Sequence, residues 1–343
     1  VPGSPEATFI SRMLSPERDE RLKALNQVRE RPGEVAAFDG IRGKERGPWA
    51  EPWKGPYVLE LPNCLLSKPQ MTEEVLQILF ALVESPTELA FTGNDHVETL
   101  GFLTEIPTLQ SLELSRCERL GDLSALGTLT DLRRLKIDDL PALTELSVLS
   151  ECPKLTHLHL IGLQEVAGLE AMGSLNELRH LELSLDVAGQ DLEWIRGDLC
   201  LERLRIGPSR GLKSLSGLEG AGVAPDAPGR PDLVVTLRNC PALQSVDAMV
   251  TGVKNLHLSL KDCPEMKNLD GLRDHPSLEK LLVVVSDCSG LVDLSALNHI
   301  PNLRKLHLNV AGLEQPGPLL ETLDPGQDVH LVVRHKPQGY THF

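Results

Sequence analysis

Aromatic residues are scarce, with Phe, Trp and Tyr together making up 3% of the 343 residues. A core organised around large rings is thereby excluded, and aliphatic side chains must fill it. No run of about eighteen apolar residues occurs, and the amino terminus lacks a charged segment followed by an apolar stretch and a small-residue cleavage site. Neither a membrane span nor export is expected, although Val1-Pro2-Gly3-Ser4 reads like linker residue and leaves the natural start open. Positive charge is in deficit, 34 Lys and Arg against 49 Asp and Glu for a net charge of −15, which argues against nucleic acid as a partner. The seven cysteines form no Cys-x-x-Cys motif and no zinc-type spacing, so a reducing, cytoplasmic compartment is the simpler reading. Gly-x-Ser-x-Gly and His-Glu-x-x-His are missing, and Gly40-x-x-Gly43-Lys44 lacks the spacing and the Ser/Thr of a phosphate loop. No enzyme activity, cofactor or metal is expected on these grounds.

Leucine is what the chain has in abundance, and it is placed periodically. Leu89, Leu112, Leu135, Leu158, Leu181 and Leu204 follow one another at an unbroken interval of 23 residues. From Leu112 onward each is preceded three residues earlier by Leu109, Leu132, Leu155, Leu178 or Leu201, and followed two later by Leu114, Ile137, Leu160, Leu183 or Ile206. Leu59-Glu60-Leu61 fits one step before the run, and equivalents at Leu233, Leu256, Leu281, Leu306 and Val329 extend it to about a dozen coils. Fixed periods of this length mark stacked repeats, each of which buries its apolar edge against the next.

The Leu-x-x-Leu-x-Leu pattern resembles the leucine-rich-repeat superfamily. That resemblance implies an α/β solenoid, a right-handed superhelix with a parallel concave β-sheet and short 3₁₀ or helical segments on the convex side. Cys-Pro in Asn239-Cys240-Pro241 and Asp262-Cys263-Pro264 is similar to single repeats of plant resistance proteins and of bacterial chains. No nucleotide-binding module accompanies them, so the receptor function of those plant proteins does not carry over. Bacterial effector ligases share such repeats but add a Cys-x-Asp nucleophile, and no cysteine here is followed by x-Asp.

Organisation follows the repeat. Residues 1–56 form an amino-terminal segment, with a charged helix expected over 15–30 and irregular chain carrying Trp49 and Trp53 beyond it. The solenoid is expected over 57–334, with a helix from Thr72 to Val83, a Gly/Pro-rich insertion at 219–231 and a last strand around Val329–Val333; a polar tail, 335–343, follows. Leucines every third residue, as in Leu120, Leu123 and Leu126, suit 3₁₀ turns.

Five of the seven cysteines share one turn position. Five residues beyond the repeat leucine stand Cys64, Asn94, Cys117, Leu140, Leu163, Asp186 and Ser209, and seven beyond it in the later coils stand Cys240, Cys263, Cys288 and Leu313. A buried thiol can replace asparagine there as a small hydrophobe with a weak donor. A disulfide between adjacent coils, or a redox switch, is the alternative.

Residues flanking each buried leucine face outward from a strand. Along the solenoid this face carries nine Lys or Arg, seven acids and six of the eleven histidines, so the acidic excess lies elsewhere. Over four coils Arg134, Lys136, His157, His159, His180, Arg203 and Arg205 face only Asp138 and Glu182. The expectation is a patch that receives an acidic segment of a partner protein, with Glu182 set among the cations. A solvated face without a partner is the bland reading. A metal bound by His157, His159, His180 and Glu182 is a third, opposed by the surrounding positive charge. At the level of function the chain reads as a non-catalytic binding module, with a sensor or autoinhibitory part of a larger protein and an assembly spacer as alternatives.

Overall fold

The computed structural model describes residues 58–60, 87–164, 166–185, 191–195, 200–218, 222–223, 232–246, 252–312, 316–324, 326 and 329–336, with Arg12, Glu20, Lys23, Glu73, Leu76 and Gln77 before them. The segment 1–56 therefore lies outside the described residues apart from Arg12, Glu20 and Lys23, which are helical. So do the insertion at 219–231 (Gly222 and Val223 excepted), the tail beyond 336, Cys64 and Asp186. Within the expected helix from Thr72 to Val83, Glu73, Leu76 and Gln77 are helical and Leu76 is fully buried. The chain forms two compact units, Val1–Leu155 and Thr156–Phe343.

The first unit carries strands β1 (Val58–Glu60), β2 (Glu88–Thr92), β3 (Ser111–Ser115) and β4 (Arg134–Asp138), paired in parallel in chain order. Register places Leu59 against Leu89, Leu89 against Leu112 and Leu112 against Leu135. Strand alternation sends Leu89, Phe91, Leu112, Leu114, Leu135 and Ile137 into the core. After β2, β3 and β4 the leucines recur every third residue and the chain coils into 3₁₀ turns at Gly101–Glu105, Ser124–Thr128 and Ser147–Glu151. Their i→i−3 bonds, such as Leu126 N–H to the carbonyl of Leu123 and Leu149 N–H to that of Leu146, bring one leucine per turn to the same side. Phe91 and Phe102 stack at 5.2 Å between ring centroids, joining strand to turn within one coil.

The second unit repeats the plan with β5 (His157–Ile161), β6 (His180–Ser184), β8 (Arg203–Ile206), β10 (Leu233–Arg238), β11 (Asn255–Lys261), β12 (Lys280–Ser286), β13 (Lys305–Ala311) and β14 (His330–Lys336), neighbours in that order and all parallel. Two short strands, β7 (Cys200–Leu201) and β9 (Gly222–Val223), pair separately. The 3₁₀ turns here span Leu169–Ser174, Glu193–Ile195, Asp270–Leu272 and Ser295–His299, and one short helix, α1, covers Pro316–Glu321.

Register corrects two positions of the repeat. Leu204 pairs with Val235 rather than Leu233, and Leu306 pairs with Leu331 rather than Val329. From β10 onward each strand has gained two residues at its start, so Leu233, Leu256, Leu281, Leu306 and Leu331 form an added ladder ahead of the original one. The turn position then stands five residues beyond Val235, Leu258 and Val283, as it does in the earlier coils.

That turn has a common backbone form. The residue just before it lies at positive φ in Gly93, Arg116, Asp139, Gly162, Asn239, Asp262, Asp287 and Gly312. The left-handed conformation turns the chain out of the strand, and its amide reaches the last strand carbonyl of the following coil: Gly93 to Ser115, Arg116 to Asp138, Asn239 to Lys261, Asp262 to Ser286. All six described cysteines are thiols, and Cys117, Cys240, Cys263 and Cys288 in this position are fully buried. Each donates to the carbonyl two residues back, at 3.4 Å in all four cases.

Candidate binding face

On the first unit, Arg134 and Lys136 project from β4 on the side opposite to Leu135 and Ile137, both half-buried. Lys136 Nζ lies 2.8 Å from Glu113 Oε1 on β3 and 3.6 Å from Asp138 Oδ2 on its own strand. Burial pushes the Glu88 carboxyl above its ordinary range, and Arg134 works against that shift.

On the second unit, register builds two ladders. His157, His180 and Arg203 form one, and His159, Glu182 and Arg205 the other. The His157 and His180 rings meet edge to face at 4.2 Å between centroids, and the Thr156 hydroxyl lies 2.9 Å from His157 Nδ1. Glu182 stands between His159 Nδ1 and Arg205 Nη1, 3.4 Å from each. His180 Nε2 lies 3.5 Å from Glu202 Oε2, and Arg179 donates to Glu202 at 2.7 Å. Burial raises the Glu202 carboxyl, but Arg179 and His180 outweigh it and the pKa is lowered.

The eight residues singled out by sequence thus fall into two groups, Arg134 with Lys136 on the first unit, and His157, His159, His180, Glu182, Arg203 and Arg205 on the second. The sequence reading set their cations against Asp138 and Glu182 alone. Two further carboxylates, Glu113 and Glu202, are in reach, so the groups are mixed in charge rather than simply basic. The signal was present: Glu113 and Lys136, Asp131 and Lys154, Arg179 and Glu202, and Glu182 and Arg205 are opposite charges 23 residues apart, one coil step. Exposed pairs of this kind contribute roughly 0.2–1 kcal/mol each.

Among the described residues no group of three or more His, Cys, Asp or Glu is placed to hold a metal ion. Among the same residues no helix is long and apolar enough to cross a membrane.

No protein-family model matches the chain, and no curated protein does. Among solved structures it is similar to an internalin, InlF, from Listeria monocytogenes, with 15% identity over 78% of this chain and 83% of that one, and a TM-score of 0.40. It is also similar to TLR13 in its complex with ssRNA13, with 19% identity over 73% of this chain and 46% of that one, and a TM-score of 0.35. A plant peptide hormone receptor, RGFR1 in complex with RGF2, matches with 16% identity over 68% of this chain and 49% of that one, at a TM-score of 0.29. The chain combines a 23-residue leucine period, in-register parallel strands and 3₁₀ returns. The fold is a leucine-rich-repeat solenoid. In such a repeat the outward strand positions are held by a backbone that is fully hydrogen-bonded before any ligand arrives, so a leucine-rich-repeat face binds with little reorganisation.

Proposed function

We propose that this leucine-rich-repeat chain is a non-catalytic protein-binding module. Arg134 and Lys136 on one unit, and His157, His159, His180, Glu182, Arg203 and Arg205 on the other, are its partner-contacting residues, with an acidic segment of a partner protein as the ligand. The observation that supports the reading most is the ladder of His157, His180 and Arg203, three outward side chains on successive in-register strands that end in an exposed guanidinium. The preformed carboxylates Glu182 and Glu202 orient the cations around them and set a threshold that an incoming acidic group must outcompete. The net charge of −15 supports a protein partner over nucleic acid.

The test is affinity capture from native lysate with the wild-type chain and with a variant carrying Arg134→Glu, Lys136→Glu, Arg203→Glu and Arg205→Glu. A partner retained by the first and lost by the folded variant is the expected result. Equal capture by both rejects these residues and favours a spacer role or another face.

A further inference from the structure

The outward face of β10 to β14 is arranged differently from the groups above. Register sets its side chains in four rows. Asn255, Lys280, Lys305 and His330 form the first row; at the other end of the strands Arg238 and Lys261 open the last. Between them, in the two middle rows, stand Leu282 and Val284.

Two features make this face unusual. First, no outward residue of β11, β12 or β13 is acidic. Asp232, which begins the first row, is 8% exposed, and its carboxylate accepts the Lys254 and Asn255 amides at 2.8 and 2.9 Å and the Asn255 side-chain amide at 3.0 Å. Glu279, beside Lys280 in the chain, lies 3.9 Å from Arg304 instead. Second, like charges are placed in register twice over: Lys280 opposite Lys305, and Arg238 opposite Lys261. Directly opposed like charges destabilise a strand pair. Among the described residues none of these four cations has an ion-pair partner. In a chain with net charge −15, two such pairs on a face where β11, β12 and β13 present no outward acid are complementary to an anionic ligand.

The spacing specifies the ligand further. The two cationic rims stand six residues apart along the strands, about 20 Å at the usual rise. On β10 to β13 the surface between them is Leu282 and Val284 with Ser259 and Asn309 beside them, and burial lowers the His257 pKa; the next cation in these rows, Arg334, falls on β14. A nucleic acid strand would present charge along its whole length and seek aromatic platforms. An extended peptide of about seven residues, acidic at both ends and apolar between, matches rim, floor and rim.

We infer that β10 to β13 form a docking face for an extended acidic–apolar–acidic segment of a partner protein, held at its ends by Lys280 with Lys305 and by Arg238 with Lys261. This rests on the binding role proposed above and assigns to it a separate set of residues.

The experiment titrates the whole chain into a fluorescein-labelled synthetic peptide, Asp-Glu-Leu-Val-Leu-Glu-Asp, and follows anisotropy. Saturable binding is expected, weakened about tenfold or more by Lys280→Glu with Lys305→Glu and partly by the Lys280→Gln, Lys305→Gln pair; Arg203→Glu with Arg205→Glu is titrated beside them to report the other face. Circular dichroism establishes that each variant is folded. No saturable binding, or binding that the Lys280 and Lys305 variants leave unchanged, overturns the inference. A single-stranded oligonucleotide bound more tightly than the peptide overturns it in favour of nucleic acid. Loss only in the Arg203 and Arg205 variant overturns it while leaving the earlier proposal standing.

Discussion

Asn94 and Cys117 occupy the same turn position of consecutive coils and serve the backbone in opposite senses. Asn94 Oδ1 accepts the amides of His96 and Val97 at 2.9 and 2.7 Å, whereas the Cys117 thiol donates to the carbonyls of Ser115 and Phe91 at 3.4 and 3.8 Å. Both side chains are fully buried. Asparagine thus closes the turn that follows it, and cysteine ties back to the strands behind it.

The two substitutions to alanine therefore differ in cost. Asn94→Ala strands two backbone amides and is expected to destabilise by about 2–3 kcal/mol, while Cys117→Ala loses weak thiol contacts and costs about 1 kcal/mol. Urea unfolding followed by circular dichroism gives both numbers, and the reverse ranking would falsify the distinction.

Gly207 and Gly252 both lie at positive φ, 128° and 90°, yet their surroundings differ. A Cβ on Gly207 would run into the carbonyl of Arg238 on β10, whereas one on Gly252 meets nothing within 4 Å. Gly207→Ala is expected to cost more than about 3 kcal/mol, Gly252→Ala about 1 kcal/mol from backbone strain alone. Comparable melting temperatures for the two variants would contradict this.

Stability should fall with acidification in part through His257. Burial lowers its pKa, so the folded form binds its proton less readily than the unfolded chain, whose value is about 6.5. The corresponding stability is present above that pH and is lost as pH falls through the folded value. Unfolding midpoints at pH 7.5 and 5.5 should differ less in His257→Gln than in wild type. An unchanged difference assigns the effect to other groups.

Thiol reactivity should follow burial. Cys152 is buried and its pKa is pushed up to about 11, and burial likewise raises Cys117, while Cys200 is half-buried. Cys240 and Cys288 are raised by hydrogen bonding to Cys263 and by burial; thiolate character is favoured on Cys263 between them, but that side chain is fully buried too. Native iodoacetamide labelling at pH 7.5, read by mass spectrometry, should modify Cys200 before any of these five. Equal rates at Cys117 or Cys152 would show that the core opens more readily than its packing implies.

Leucine spacing made the strands and 3₁₀ returns legible, because a side chain that recurs every 23 residues has one place to go in a stack. Register after Leu204 was not legible. Two residues added to a strand leave the same Leu-x-Leu alternation whichever end they join, so Leu233 and Val235 compete for one position on pattern alone. The ladder decides for Val235 because Arg203 to Ile206 pair with Val234 to Leu237. Ion pairing was half legible. Outward positions were read along each strand, while Glu113 with Lys136 and Arg179 with Glu202 meet only when residues one period apart are compared. Glu202 also precedes β8, outside the alternation that identified the others.

The left-handed exits from the strands give the array a direction in time. The amides of Gly93, Arg116, Gly162, Asn239, Asp262 and Asp287 each wait for a carbonyl that belongs to the following coil. A chain leaving the ribosome amino-terminus first can lay down a strand and its return, but the bend between them stays unsealed until roughly another repeat has been synthesised. Each of these six coils is finished by its successor.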